Sequence, residues 1–119
     1  MSRNSAQLDP VFRALADPTR RAVLQNLSRG EASVSELAAD VSMALPSFMQ
    51  DLQTLEDCGL VSSQKSGRVR VYRLKPKPLR DAEHWLGKQR THWERRLDQL
   101  DNYLQKMKSA PHTKKKEGE

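Results

Sequence analysis

Between Val61 and Arg80 the chain places Lys65, Arg68, Arg70, Arg73, Lys75, Lys77 and Arg80, seven bases without an acid among them. The remaining 14 bases and 15 acids nearly cancel, so the net charge of +6 is concentrated on this segment. A basic stripe on a neutral body is the electrostatic footprint of a polyanion binder; the same stripe also suits a solvated face. Other chemistry has little to work with. Cys58, Asp81 and His84 make a triad only on paper, and there is no nucleophile elbow, no Gly-rich phosphate loop and no HExxH pair, so neither an enzyme nor a catalytic residue is expected. His84 and His92 are eight residues apart and can share a helix face, but two imidazoles fall short of the three or four protein ligands of a zinc site. No metal or other cofactor is therefore expected. Cys58 precedes Gly59 at a helix C-terminal end, where the helix dipole disfavours a thiolate, so it reads as a structural thiol.

The elements that position these residues come from a short chain. Its 119 residues suit one domain, and 36% hydrophobic content allows only a small core. A mean hydropathy of −0.82 leaves surface to bury against a partner. No apolar run exceeds three residues, which excludes a spanning helix. The first residues, Met1-Ser-Arg-Asn-Ser-Ala-Gln7, lack a signal peptide's apolar stretch, and a lone cysteine fits a reducing compartment; a cytoplasmic location is expected.

Two Asp-Pro steps open helices: Asp9 as cap with Pro10 at the first position, then Asp17 with Pro18. Val11, Phe12 and Leu15 give the first an apolar face, Val23, Leu24 and Leu27 the second, and Gly30 closes the second. Ser33-Val34-Ser35-Glu36 is a capping box for a third helix with Val34, Leu37, Ala38 and Val41 as its stripe. After a break at Ser42–Ala44, a fourth helix spans about Leu45–Cys58, its core face marked by Leu45, Phe48, Leu52 and Leu55. Gly59 ends it. Lys65-Ser66-Gly67-Arg68 reads as a hairpin turn between strands Val61–Lys65 and Arg68–Leu74, with Gly67 free to take positive φ and Pro76 and Pro78 stopping the second strand. From Leu79 to Lys108 the pattern is one long helix. Leu79, Leu86, Trp93, Leu100 and Met107 recur every seven residues, with Leu97 and Leu104 between, as in a coiled-coil seam. Ser109–Glu119 is polar, contains Pro111 and Lys114–Lys116, and is expected to be a disordered basic tail.

The expected fold is mainly α with a small β-hairpin: a winged helix-turn-helix with a long C-terminal dimerisation helix. Residues 1–108 form the domain, about 79–108 its dimerisation helix, and 109–119 the tail. Phe12-Arg-Ala-Leu-Ala-Asp-Pro-Thr-Arg-Arg-Ala-Val-Leu24, Ser35-Glu-Leu-Ala38, Leu52-Gln-Thr-Leu-Glu-Asp-Cys-Gly-Leu-Val61 and Gly67-Arg-Val-Arg-Val-Tyr-Arg-Leu74 resemble the ArsR family of bacterial winged-helix repressors. With Trp85-Leu86 and Trp93-Glu-Arg-Arg-Leu97 the long helix is similar to the metal-free branch of that family. The resemblance implies a homodimeric transcriptional repressor that binds double-stranded DNA. Thiolate sensors of the family carry Cys-Val-Cys-Asp-Leu where this chain has Ser33-Val34-Ser35-Glu36-Leu37, and neutral hydroxyls are poor ligands for soft metals. The family's Asp-x-His site, followed by His eleven residues on, is matched only by Asp81-x-x-His84 and Arg95. Ala44 stands where relatives often place a capping Ser, and Asp51 where they often place His; a carboxylate there repels phosphate unless it pairs with a base or accepts from cytosine N4.

On the fourth helix Gln50 lies opposite the core face, flanked by Pro46, Ser47, Gln53 and Thr54, and suits bidentate contact with adenine. Lys65, Arg68 and Arg70 on the hairpin are expected to hold phosphates or enter the minor groove. Arg20 and Arg21 read as surface charge, Tyr72 and Leu74 as core at the ribbon's base. The dimer interface is expected at Leu86, Trp93, Leu97, Leu100 and Leu104, helped by Phe12. In an alternative reading the same scaffold responds to a metal at His84 and His92 or to a small molecule near Trp85.

Overall fold

The computed structural model describes residues 3–109, with side-chain surroundings from Gln7 onward. The elements run α1 (Arg3–Leu15), α2 (Pro18–Leu27), β1 (Ala32–Ser33), α3 (Val34–Ala38), α4 (Leu45–Asp57), β2 (Val61–Ser66), β3 (Val69–Leu74) and α5 (Pro76–Ser109). This is a winged helix-turn-helix: α3 and α4 form the motif, and β2 and β3 form the wing.

Local signals built most of it. Asp17 caps α2 by accepting from the Arg20 N–H at 3.0 Å. At α3 both halves of the capping box are made, Ser33 N–H to Glu36 Oε1 at 2.8 Å and Glu36 N–H to Ser33 Oγ at 3.2 Å. Helix α4 closes in a double turn: Gly59 N–H donates to Glu56 O and Leu60 N–H to Leu55 O, with Gly59 at φ +80°. That six-to-one and five-to-two pair is a Schellman motif, and the hydrophobic contact that accompanies it falls to Leu55 and Leu60, both fully buried. At the wing tip Ser66 pairs with Val69, leaving Gly67-Arg68 as a two-residue turn with Gly67 at φ +66°. Positive φ at the first central position is what a primed hairpin turn requires.

Several boundaries differ from those the sequence suggests. Helix α1 begins upstream of Asp9, and Pro10 lies inside it. Leu8 is buried with Val11 and Ala14, so the apolar face extends back past Asp9, and burying Leu8 offsets part of what Pro10 costs inside the helix. Helix α5 begins at Pro76 rather than Leu79; the prolines that stop β3 occupy its first turn, where a missing N–H costs nothing. Arg68 belongs to the turn, not to the strand. The expected two-stranded ribbon is a three-stranded antiparallel sheet of order β1-β3-β2, because Ala32 and Ser33 pair with Tyr72 and Val71. Leu45, expected on the core face of α4, is 58% exposed: it occupies the first helical position, beyond the end of the core. The tail expected over 109–119 lies outside the described residues except for Ser109, which ends α5.

The chain divides into two compact units, Met1–Glu83 and His84–Glu119. In the first, Phe48, Leu52 and Leu55 of α4 join Val11, Ala14, Val23, Leu24, Leu27, Leu37, Leu60, Val61, Tyr72 and Ala82 in one core, with Phe12, Leu15, Leu74 and Leu79 packed at its margin. Each large apolar side chain so buried contributes about 1.5–3 kcal/mol, so the core fixes the orientation of α4 about its own axis. Among the described residues, the second unit is the rest of α5.

Candidate nucleic-acid interface

Burial of Phe48, Leu52 and Leu55 turns the opposite side of α4 to solvent, and Pro46, Ser47, Gln50 and Gln53 are exposed there. Thr54 is half-buried; its hydroxyl donates to the Gln50 carbonyl at 3.0 Å, while Gln53 Nε2 donates to Asp57 Oδ1 at 2.8 Å. Of the five residues expected on this face, Pro46, Ser47 and Gln50 are exposed with no side-chain hydrogen bond recorded among the described residues, and Gln53 and Thr54 are tied within their own helix. Ala44 makes no side-chain cap, as its residue type dictates.

Asp51 is not a free carboxylate on this helix. Its Oδ1 accepts from the Arg20 guanidinium at 3.0 Å, with the two side chains only 13% and 19% exposed. Arg20 also donates from Nε to Ala14 O at 3.0 Å and from its other terminal nitrogen to Arg13 O at 3.1 Å. Reading Arg20 as surface charge is thus corrected: one guanidinium caps the C-terminal end of α1, sits on α2 and holds α4 by ion pair. Pairing with a base also removes the repulsion that an isolated Asp51 would offer phosphate. Arg21 donates to Leu15 O at 2.8 Å from an exposed position.

The wing's two faces follow from its register. Val61 faces Leu74, Ser63 faces Tyr72 and Lys65 faces Arg70, so one face runs from apolar at the base to basic at the tip. Tyr72 is buried at the base, and that desolvation pushes its phenol pKa up. At mid-wing Arg70 donates to Ser63 Oγ at 2.8 Å, and Ser63 Oγ donates to Glu56 Oε2 on α4 at 2.9 Å. This relay turns the basic face of the wing toward the side of α4. Lys65 and Arg70 stand directly opposite each other, a like-charge pairing that costs energy until an anion lies between them. Lys65 and Arg68 are exposed, and neither is in an ion pair among the described residues. Arg73, further back on the other face, is held by Glu31 at 2.8 Å, and Lys77 by Asp81 at 2.9 Å. Of the seven-base run, Lys65, Arg68 and Arg70 therefore form a forward group at the wing's outer half, while Arg73 and Lys77 are held in ion pairs.

Within the second unit, Leu86, Trp93, Leu97, Leu100, Leu104 and Met107 form an exposed row, Trp93 at 69%; Tyr103, which the heptad count omits, lies beside it and is also exposed. Phe12 packs against the core of the first unit. His84 and His92 line one shallow hollow on α5 with Lys88, Arg90, Thr91 and Arg95, whose charges repel a cation. No group of three or more His, Cys, Asp or Glu side chains suited to a metal occurs among the described residues. Ser33 Oγ is occupied in its capping box. Cys58 is half-buried, its thiol donating to Leu55 O at 3.4 Å, and burial raises its pKa, as expected of a structural thiol.

Sequence reasoning missed Arg20, Asp51 as its partner, and the Glu56–Ser63–Arg70 relay. Only the appearance of an unpaired acid on a helix with an outward polar face hinted at the first.

Comparison with known proteins agrees with this geometry. A helix-turn-helix domain family matches residues 15–64. The HTH-type transcriptional regulator Rv2034 of Mycobacterium tuberculosis is 41% identical over 71 residues, 60% of this chain and 66% of that regulator. The transcriptional repressor SdpR of Bacillus subtilis is 29% identical over 79 residues, 66% of this chain and 88% of the repressor. Among solved structures, the ArsR family transcriptional regulator RHA00566 superposes with a TM-score of 0.74 at 51% identity, covering 79% of this chain and 97% of that one. These proteins are transcriptional regulators, not enzymes. No helix among the described residues is long and apolar enough to cross a membrane.

Proposed function

Since the chain belongs to the ArsR family of helix-turn-helix transcriptional regulators, we propose that it is a homodimeric repressor that binds a two-fold-related site on double-stranded DNA and does not sense metal. The observation that carries the reading is the pairing of an outward Gln50 helix face with a forward basic group at Lys65, Arg68 and Arg70. Gln50, with Pro46 and Ser47 beside it, would contact base edges; Gln53 and Thr54 would reach the groove's margin; the wing would hold phosphate. Dimerisation is supported by the row Leu86, Trp93, Leu97, Leu100 and Leu104, too apolar to leave wet on so small a chain; Phe12, half-buried against the first unit's core, is a further contributor in this reading. In this reading residues 1–108 act together as a DNA-binding and dimerising domain in the cytoplasm.

Metal indifference rests on donor chemistry. Ser33 and Ser35 offer hydroxyls where thiolate sensors need sulfur, and His84 and His92 sit among bases. DNA titrations with added zinc and with chelator test it: equal affinities are expected, with no stoichiometric zinc in purified protein. Tight zinc binding that releases DNA, and that is lost in His84→Ala, would establish the metal-responsive alternative instead.

A further inference from the structure

Within the described residues of the first unit, the exposed large hydrophobics are Met43, Leu45, Met49 and Val69. Three of these four fall in one seven-residue stretch across the motif's turn and the start of α4, and the fourth is at the wing tip. Such clustering is not a core spilling outward, since Phe48, between Leu45 and Met49 in sequence, is 1% exposed. Leu45 and Met49 are one helical turn apart, and at about 100° per residue they lie between the outward Pro46–Gln50 line and the core face, on the side of α4 that also carries Glu56. The same helix end is poor at holding an anion: Ala44 gives no cap, Pro46 has no N–H, and the first turn is apolar.

We infer that Leu45 and Met49 read thymine methyl groups in the major groove, beside the base that Gln50 contacts. This deepens the DNA-binding reading and rests on it. The N-terminal residues of a recognition helix are those that reach base edges, and the thymine methyl is the apolar group that the major groove offers them. A basic wing turned toward the same side of α4 through Glu56, Ser63 and Arg70 supplies the complementary charge that seats the helix. Covering one methyl is worth about 4-fold in affinity, so two half-sites together are worth about 15-fold.

The test begins with selection of binding sites from a randomised duplex pool by the full chain. Each thymine of the selected site is then replaced by deoxyuridine, which deletes only the methyl. Unaltered protein should lose about 4-fold at one thymine per half-site. The same replacement should cost Leu45→Ala/Met49→Ala protein nothing, while its salt dependence stays unchanged. Both side chains are exposed, so this variant should fold normally. Uniform tolerance of deoxyuridine, or an equal penalty in both proteins, overturns the inference and leaves DNA binding standing. Loss of dimer in sedimentation of the variant also overturns it, and makes the patch an interface between copies. If no sequence is enriched from the pool, the DNA-binding reading itself falls, and this inference with it.

Discussion

Trp93→Ala combined with Leu100→Ala should take the dimer apart. Trp93 is 69% and Leu100 53% exposed on the single chain, so dimerisation has most of both side chains left to cover. An aromatic or leucine side chain of this size leaves roughly 100–150 Å² open, and at about 25 cal/mol per Å² full coverage of the pair is worth roughly 5 kcal/mol per chain. Two-fold symmetry doubles that to roughly 10 kcal/mol. If only half the area is covered, the loss is still about 5 kcal/mol, more than a thousandfold in Kd. Sedimentation velocity over a concentration series reads this directly, with far-UV circular dichroism recorded on the same samples. Monomer, or protein that no longer folds without its partner, is the expected outcome at micromolar concentration. A double variant that stays dimeric there refutes the reasoning, because no other exposed row of this length exists among the described residues.

Other outcomes follow from the site geometry. If Lys65, Arg68 and Arg70 of two subunits each hold a phosphate, about six contacts give a log–log salt slope of roughly −5; Arg68→Ala should then flatten it by about 2 and weaken operator and scrambled DNA alike. Gln50→Ala should spare scrambled DNA and cost ~1–3 kcal/mol per lost base contact on the operator, and equal losses on both DNAs would break the assignment. Arg20→Ala removes three hydrogen bonds and should cost about 2–3 kcal/mol in urea unfolding, more than Asp51→Ala, which removes one; the reverse order would contradict the clamp. Burial raises the Tyr72 pKa above the ordinary tyrosine value of about 10, so the folded state favours the neutral phenol. That stability is complete below pH 10 and is lost as pH rises toward the folded value; Tyr72→Phe should show a shallower alkaline loss of Tm.

The caps of α2 and α3, the glycine stop of α4, the apolar period of α4 and the heptads of α5 were all legible in the sequence, because each is a relation between residues at most a turn or two apart. Those relations were enough for the winged helix-turn-helix, for the outward side of α4 and for the basic wing. Where a period runs out was not legible. Leu45 continues the spacing of Phe48 and Leu52, yet stands past the end of the core, and Leu8 extends the face of α1 behind a proline that reads as a helix start. Nothing periodic marks β1 either: two residues alternate with nothing, and Ala32 and Ser33 become a strand only because β3 offers free backbone groups beside them. The pairing of Arg73 with Glu31, far away in sequence, is likewise tertiary. Arg20 meets Asp51, and Ser63 meets Glu56, because close packing of α1, α2, α4 and the wing leaves those polar groups partly desolvated and each must find a partner within reach. Sequence chooses the residue types; which of them meet is decided when the core closes.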